Sequence, residues 1–179
     1  MKPIFESAKQ LESELISIRR TLHQYPEIGS ILPRTQSFVF GKLEEYGYCP
    51  QKLCESAVTA TISGKQPGKT ILLRADMDAL PIQEAAPVAS ENGSMHACGH
   101  DMHTAMLLGA AKLLKQYQQD LVGTVKLVFQ PDEEGFTGAK AMLKAGVLEN
   151  PHVDAGIAFH VVSGIPSPAW QDVPYFRFI

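Results

Sequence analysis

The N-terminal part of the chain carries apolar residues at helical spacing. Between residues 6 and 25, apolar side chains recur at intervals of four, three and four, at Leu11, Leu15, Ile18 and Leu22. This period is typical of an amphipathic helix, and Pro26 ends it because proline cannot continue the hydrogen-bond ladder. A second helix is predicted from about 34 to 46, where Gly47 stops it.

Beyond this point the period changes, and short apolar runs alternate with helical stretches. Residues 57–63 alternate between apolar and polar, as a half-buried strand does. Three further apolar runs are predicted as strands, at 70–73, 125–129 and 155–159. Helices are predicted at 103–118 and 138–145. Strands that alternate with helices indicate an α/β layered fold with a largely parallel sheet.

Polar clusters follow three of the predicted strands. They comprise Arg74, Asp76 and Asp78 after the first, Asp132, Glu133 and Glu134 after the second, and His160 after the third. Ligands of open α/β sheets bind outside the carboxyl ends of the strands. We therefore expect these clusters to converge on one rim, together with the segment that precedes the helix at 103–118.

Composition excludes several classes of function. The 179 residues are 45% hydrophobic, which suffices for one domain with a substantial core. A net charge of -3 argues against a nucleic-acid partner, because phosphate binding needs a basic surface. The sequence contains no run of about 18 apolar residues, so no membrane span is predicted, and the N-terminus does not resemble a signal peptide. Three cysteines without a C-x-x-C pair favour reduced thiols in a cytoplasmic protein, with Cys49 and Cys54 buried.

The segment Met95–His103 concentrates potential metal ligands. It holds three of the six histidines and one of the three cysteines. Imidazole and thiolate bind transition metals at neutral pH, and Cys98 and His100 flank a single glycine, so a turn can aim both at neighbouring ions. The alternative is a loop with a buried cysteine and solvent-facing histidines. For His96 and His103, direct ligation, support of a ligand and contact with substrate all stay open.

Glu133 and Glu134 form an adjacent carboxylate pair whose side chains diverge after a strand. One carboxylate can bind a metal while the other faces the reacting water as general base, although most such pairs are solvated surface charge. Asp76 and Asp78 either form an acidic turn or support a metal centre. Arg74 is expected to pair with one of these two aspartates.

Four segments in this order resemble the M20 metallopeptidase family, and in particular its aminoacylase-like amidohydrolase branch. They are Arg20–Gly29, Leu73–Ile82, Met95–His103 and Phe129–Gly135. The branch includes hippurate hydrolases, N-acetyl-diaminopimelate deacetylases and auxin-conjugate hydrolases. The resemblance runs from about residue 6 to 167 and implies a three-layer α/β/α, zinc-exopeptidase-like catalytic domain.

The resemblance implies two divalent metal ions, Zn, Mn or Co, and a role for each matching residue. The implied ligands are Cys98, His100, Glu134 and His160. Glu133 would be the general acid and base, and Asp78 would support catalysis. Asp76 stands where other branches of the family have a histidine ligand, so it is left out of the ligand set.

The implied function is hydrolysis of the amide bond of a small-molecule N-acyl amino acid. The resemblance also implies a cap domain that mediates dimerisation and a further histidine ligand, neither of which we find in this sequence. We therefore expect 1–167 to be the N-terminal part of a truncated catalytic domain and 168–179 to be an atypical tail. The alternative is an inactive fragment that binds metal or a partner chain without turnover.

Overall fold

The computed structural model describes residues 4–85, 90 and 92–162, so the predicted tail at 168–179 lies outside the described residues. Helices α1 to α5 span Ile4–Lys9, Glu12–Gln24, Pro33–Glu45, His100–Gln116 and Gly138–Lys144. Strands β1 to β5 span Gln51–Lys52, Val58–Ser63, Gln66–Asp76, Val122–Gln130 and Ala155–Ala158, and a short 3₁₀ helix spans Gln118–Asp120. No helix among these residues has the length and apolar character needed to cross a membrane.

The five strands form one sheet in the order β1-β2-β4-β3-β5. β3 pairs in parallel with β4 on one side and with β5 on the other. β2 runs antiparallel to β4, and β1 runs antiparallel to β2, so the sheet is mixed, with β2 opposed to the other strands. The carboxyl ends of β3, β4 and β5 therefore meet at one edge, and the predicted α/β fold is confirmed.

Helices cover both faces of the sheet, which makes three layers. α2, α3 and α4 pack on one face around a core that includes the fully buried Leu43, Leu108 and Phe129. The neighbouring Val128 belongs to a smaller cluster on the other face, where it packs with Met142 of α5. This alternation along β4 follows from the two-residue period of a strand that is buried on both faces. The larger core fixes α4 against β3 and β4.

The single helix predicted over 6–25 is two helices in the structure. A tight turn separates them, in which the Leu11 N–H donates to the Ala8 carbonyl, 3.0 Å away, three residues earlier instead of four. This turn lets α1 contact α4, and the Ser7 hydroxyl lies 2.7 Å from the Tyr117 hydroxyl at the end of α4. The apolar period continues through the turn, so periodicity alone does not reveal it.

Two boundaries next to the predicted rim also differ from the sequence prediction. The strand predicted over 70–73 continues to Asp76, because the added residues pair with the end of β4. The helix predicted over 103–118 begins at His100. His100 and His103 therefore lie in the first turn of α4, three residues apart, a spacing that puts them on one face of the helix.

The three cysteines form no disulfide. Cys49 is exposed and Cys54 is half-buried, so the expectation that both are buried is wrong for Cys49. Cys49 lies in the segment between α3 and β1, where its neighbours Tyr48 and Pro50 are both buried. Burial thus alternates from residue to residue in this segment, and the Cys49 side chain lies on the solvent side.

Truncating a fully buried leucine of α4 should destabilise the domain far more than truncating an exposed leucine of α5. Leu108→Ala removes core contacts and leaves a cavity, and should cost about 2–5 kcal/mol of unfolding free energy. The matched control Leu143→Ala changes a side chain that is 54% exposed and should cost about 0.5 kcal/mol or less. Urea unfolding measures both, and equal losses would contradict the packing described.

Candidate metal centre

Potential metal ligands converge where the carboxyl ends of β3, β4 and β5 meet the N-terminus of α4. Within each of three groups of residues, the potential ligand atoms lie within 4.8 Å of one another. The groups are Cys98 with His100 and His160, His100 with Glu133 and Glu134, and Asp76 with His100 and His103. His100 belongs to all three groups and is fully buried. The structure thus brings the predicted ligand residues together on one rim.

The imidazole of His100 is surrounded by carboxylates. Its Nε2 lies 3.7 Å from Asp76 Oδ1, 3.9 Å from Glu133 Oε2 and 3.9 Å from Glu134 Oε1. Its Nδ1 lies 3.3 Å from Asp78 Oδ1 without hydrogen-bond alignment. Burial alone would lower the pKa of His100, but the contact with Asp78 and the charge of Asp76 outweigh it and raise the pKa.

Orphaned polar atoms at this point fit a bound cation. Both ring nitrogens of His100, Asp78 Oδ1 and Glu134 Oε1 are buried and have no hydrogen-bond partner among the described residues. Buried polar atoms without a partner are costly, and each atom of this set is a donor type that divalent metals accept. The donor set therefore fits a divalent metal ion.

Cys98 also depends on a nearby cation to ionise. Burial and the charge of Glu134 raise the pKa of the Cys98 thiol to about 11. A thiol in this environment is protonated at neutral pH, whereas a coordinated divalent ion deprotonates it outright. The Cys98 Sγ lies 3.3 Å from Nε2 of His160, so the pair is placed to share one ion.

A left-handed turn aims Cys98 and His100 to the same side. Gly99 has φ +88 and is the residue directly before α4. Its carbonyl accepts hydrogen bonds from the N–H groups of Met102 at 2.9 Å and His103 at 3.1 Å, which starts the helix. A Cβ at Gly99 would lie 2.4 Å from the Val161 side chain, so the turn also needs the missing side chain for space.

Asp78 holds Glu134 and His100 together. Its Oδ2 accepts a hydrogen bond of 3.0 Å from the Glu134 N–H, while its Oδ1 contacts the His100 ring. The turn after β4 then presents the two glutamates differently to solvent, since the side chain of Glu133 is 34% exposed and that of Glu134 is 25% exposed. Glu133 is the more accessible carboxylate of the pair.

Asp76 is engaged by neighbours other than His100. Its Oδ2 accepts a hydrogen bond of 2.6 Å from Arg74, which confirms the expected ion pair, and its Oδ1 lies 2.5 Å from Nδ1 of His103. Burial alone would raise the pKa of Asp76, but the hydrogen bond with His103 and the charge of Arg74 lower it to about 2. Asp76 is therefore ionised and neutralised in part by arginine.

A second buried network adjoins the centre, and sequence reasoning missed it. Asp101, next to His100, lies 2.7 Å from Arg19 Nε and 2.7 Å from His23 Nδ1. His23 Nε2 in turn lies 2.9 Å from Glu84. The signal available was the four-residue spacing of Arg19 and His23 on one predicted helix, which places both on one face. Their partner on α4 is remote in sequence.

His96 lies between this network and the centre but in none of the three ligand groups. It is 5% exposed, its ring lies 6.4 Å from the ring of His23, and neither of its nitrogens has a partner among the described residues. Burial lowers the pKa of His96 to about 4, so the ring is neutral at neutral pH.

An α/β/α domain that gathers thiol, imidazole and carboxylate donors at the ends of parallel strands is typical of metal-dependent hydrolases. The comparison with known families agrees. Residues 72–173, more than half of the chain, match the family described as Peptidase family M20/M25/M40. The chain belongs to this family, as the sequence motifs predicted.

Curated relatives have hydrolase names. The chain is 49% identical over 152 residues to IAA-amino acid hydrolase ILR1-like 5 of Arabidopsis thaliana, which covers 82% of this chain and 34% of the relative. It is 48% identical over 155 residues to N-acetyl-L-cysteine deacetylase of Bacillus subtilis, covering 84% of this chain and 36% of the relative. The chain thus spans about a third of the length of these relatives.

A solved structure of similar fold is the YXEP protein of Bacillus subtilis, described as a dinuclear metal binding peptidase from the M20 family. The TM-score is 0.83 at 42% sequence identity, and the match covers 88% of this chain and 45% of that chain. A putative aminohydrolase from methicillin-resistant Staphylococcus aureus matches with a TM-score of 0.84 at 38% identity, over 89% of this chain and 42% of that chain.

Removing the charge of Asp101 should destabilise the fold beside the metal centre. Asp101→Asn removes the negative charge of a carboxylate that is 1% exposed. Its Oδ2 lies 2.7 Å from both Arg19 Nε and His23 Nδ1, and its Oδ1 accepts from the Met102 N–H at 2.8 Å, so the NH₂ of the amide must face at least one of these donors. We expect a loss of about 2–3 kcal/mol in unfolding free energy, measured by urea titration of the metal-free protein. The matched control Asp120→Asn changes an exposed aspartate and should stay within about 0.5 kcal/mol of the original protein. A similar small change in Asp101→Asn would contradict this account.

Proposed function

We propose that this chain is the catalytic part of a metal-dependent amidohydrolase that hydrolyses the amide bond of N-acyl amino acids. The observation that carries the proposal is the shared position of Glu133 and Glu134. Each places a carboxylate oxygen 3.9 Å from Nε2 of His100, beside the contact between Cys98 and His160. Membership of the M20 family and the hydrolase names of the relatives support it.

The proposed ligands of two divalent ions, Zn, Mn or Co, are Cys98, His100, Glu134 and His160. A thiolate among the ligands favours Zn, since soft donors prefer it to Mn. When bound, such a pair of ions supplies an activated water and polarises the amide carbonyl of the substrate. Asp78 orients this ligand set through its contacts with the His100 ring and the Glu134 N–H.

Glu133 is the proposed general base. It lies next to the ligands but is more exposed than Glu134, so a substrate can reach its carboxylate. The Glu133 carboxylate accepts the proton that the attacking water loses, and then donates it to the nitrogen of the leaving amine. The products are a carboxylic acid and a free amino acid, which balances the water consumed.

The alternative is metal or partner binding without turnover. His160 is exposed, and the side chain of Glu133 is 34% exposed, so water has access to both. Electrostatic stabilisation of a transition state is strongest where water is excluded. Under this alternative the centre binds a metal ion or a partner, but access of water prevents turnover.

Glu133→Gln separates catalysis from metal binding. The amide keeps the size of the side chain but cannot accept a proton, so hydrolysis of N-acetyl and N-benzoyl amino acids should fall by about 10²–10⁴-fold. The number of metal ions bound per chain, measured by inductively coupled plasma mass spectrometry, should not change. Turnover by the original protein that equals that of the variant would favour the non-catalytic alternative.

Cys98→Ser tests the proposed thiolate ligand. The hydroxyl is a poorer ligand for a borderline-soft ion, so Zn²⁺ affinity in a chelator competition should fall by about 10-fold or more. Cys54→Ser is the matched control, because Cys54 is half-buried in the smaller core cluster on the other face of the sheet. The ligand assignment fails if both variants bind Zn²⁺ as the original protein does.

A further inference from the structure

His103 has a role that its place in the ligand-rich segment does not reveal. It is 2% exposed, and its ring centroid lies 5.4 Å from that of His100 and 4.5 Å from that of His160. Its Nδ1 lies 2.5 Å from Asp76 Oδ1. Its Nε2 lies 2.9 Å from the backbone nitrogen of Val161. Both ring nitrogens are therefore engaged by other groups.

These two contacts fix the tautomer of the ring. The Val161 N–H is a donor, so Nε2 of His103 must accept and carries no proton. Nδ1 then carries the proton and donates it to Asp76, which only accepts when ionised. The neutral ring has no lone pair free for an ion, although Asp76, His100 and His103 form one of the three possible ligand groups.

Asp76, the buried partner of His103, is itself held in place by two neighbours. Arg74 donates to its second carboxylate oxygen over 2.6 Å, and the Thr104 hydroxyl donates to its backbone carbonyl over 2.9 Å. The carboxylate is 1% exposed. His103 thus stands on a rigid base formed by the end of β3 and the first turn of α4.

The other side of the ring meets a much less buried segment. His160 follows the end of β5, and its ring is exposed. Its Nδ1 contacts the carbonyl of the adjacent Val161, and its Nε2 contacts Cys98. The Val161 side chain lies over the Gly99 turn, where a Cβ would come within 2.4 Å of it. The Val161 N–H bond to His103 therefore ties this exposed segment to the buried base.

We propose that His103 is a positioning residue, not a ligand: its Nε2 binds the Val161 N–H and thereby holds His160 beside Cys98. The proposal rests on the metal centre assigned above and explains how an exposed donor keeps a fixed place. Groups that orient a ligand without touching the ion change metal affinity by about 10–100-fold when they are removed.

Two substitutions of His103 separate its role as acceptor for the Val161 N–H from its role as donor to Asp76. In His103→Gln the side-chain oxygen can reach the place of Nε2 and still accept from Val161. In His103→Asn the shorter amide can reach Asp76 but not Val161. His103→Asn should therefore weaken Co²⁺ and Zn²⁺ binding by about 10–100-fold, and His103→Gln should retain most of the affinity.

The Co²⁺ absorption spectrum and hydrogen exchange supply readouts besides activity. The d–d bands of the Co²⁺-loaded His103→Asn protein should shift toward those of His160→Asn, which lacks the donor itself. In the metal-free protein, exchange of the Val161 amide should accelerate in His103→Asn and stay slow in His103→Gln, with the amides of β3 as the internal reference for global stability. His152→Asn, an exposed histidine outside the centre, is the matched control and should leave every readout unchanged.

The proposal is overturned if Val161 exchange is unchanged in His103→Asn, or if the glutamine and asparagine variants lose metal affinity equally. If the original protein binds neither Co²⁺ nor Zn²⁺, the proposed metal centre fails. The exchange measurement on the metal-free protein still decides whether His103 holds Val161, so the two failures are distinguishable.

Discussion

Parallel pairing of β3 with both of its neighbours is the constraint on which the rest of the site depends. Parallel strands end at the same edge, so Asp76, the glutamates after β4 and His160 meet there despite their distance in sequence. α4 lies between β3 and the parallel β4 in the chain, so it must run back along the sheet, opposite to the strands. Its N-terminus therefore lies at the same edge as the carboxyl ends of the strands. His100 arrives at the centre for this topological reason.

Charge balance divides the carboxylates at this edge into two kinds. Asp76 is paired with Arg74, and Asp101 on the far side of His100 is paired with Arg19. For Glu133 and Glu134, no arginine or lysine partner lies within ion-pair distance in the described part of the chain. Arginines of the protein thus neutralise Asp76 and Asp101, whereas the charge of Glu133 and Glu134 would be offset by a bound cation, which would stabilise the site only in the bound state.

The sequence predicted the α/β class and the convergence of potential metal ligands, because both follow from local periods and from residues at strand ends. It missed the break between α1 and α2. The break is a tight turn closed by the hydrogen bond from the Leu11 N–H to the Ala8 carbonyl, and the helical spacing of apolar residues continues through it. It also missed the contact of His23 with Asp101 and of His103 with Val161. Such pairs join elements far apart in the chain, and no local pattern encodes which polar group meets which.

Contacts between distant elements also give the histidines of the segment Met95–His103 different surroundings. His100 and His103 share a helix face, yet the loop after β5 passes over the second and supplies an N–H that occupies its ring. Both ring nitrogens of His100 face carboxylates and have no hydrogen-bond partner in the described residues. The backbone group that the fold brings to each imidazole therefore decides whether its ring nitrogens are free for an ion, and the missing side chain of Gly99 leaves the space over the turn that the Val161 side chain occupies.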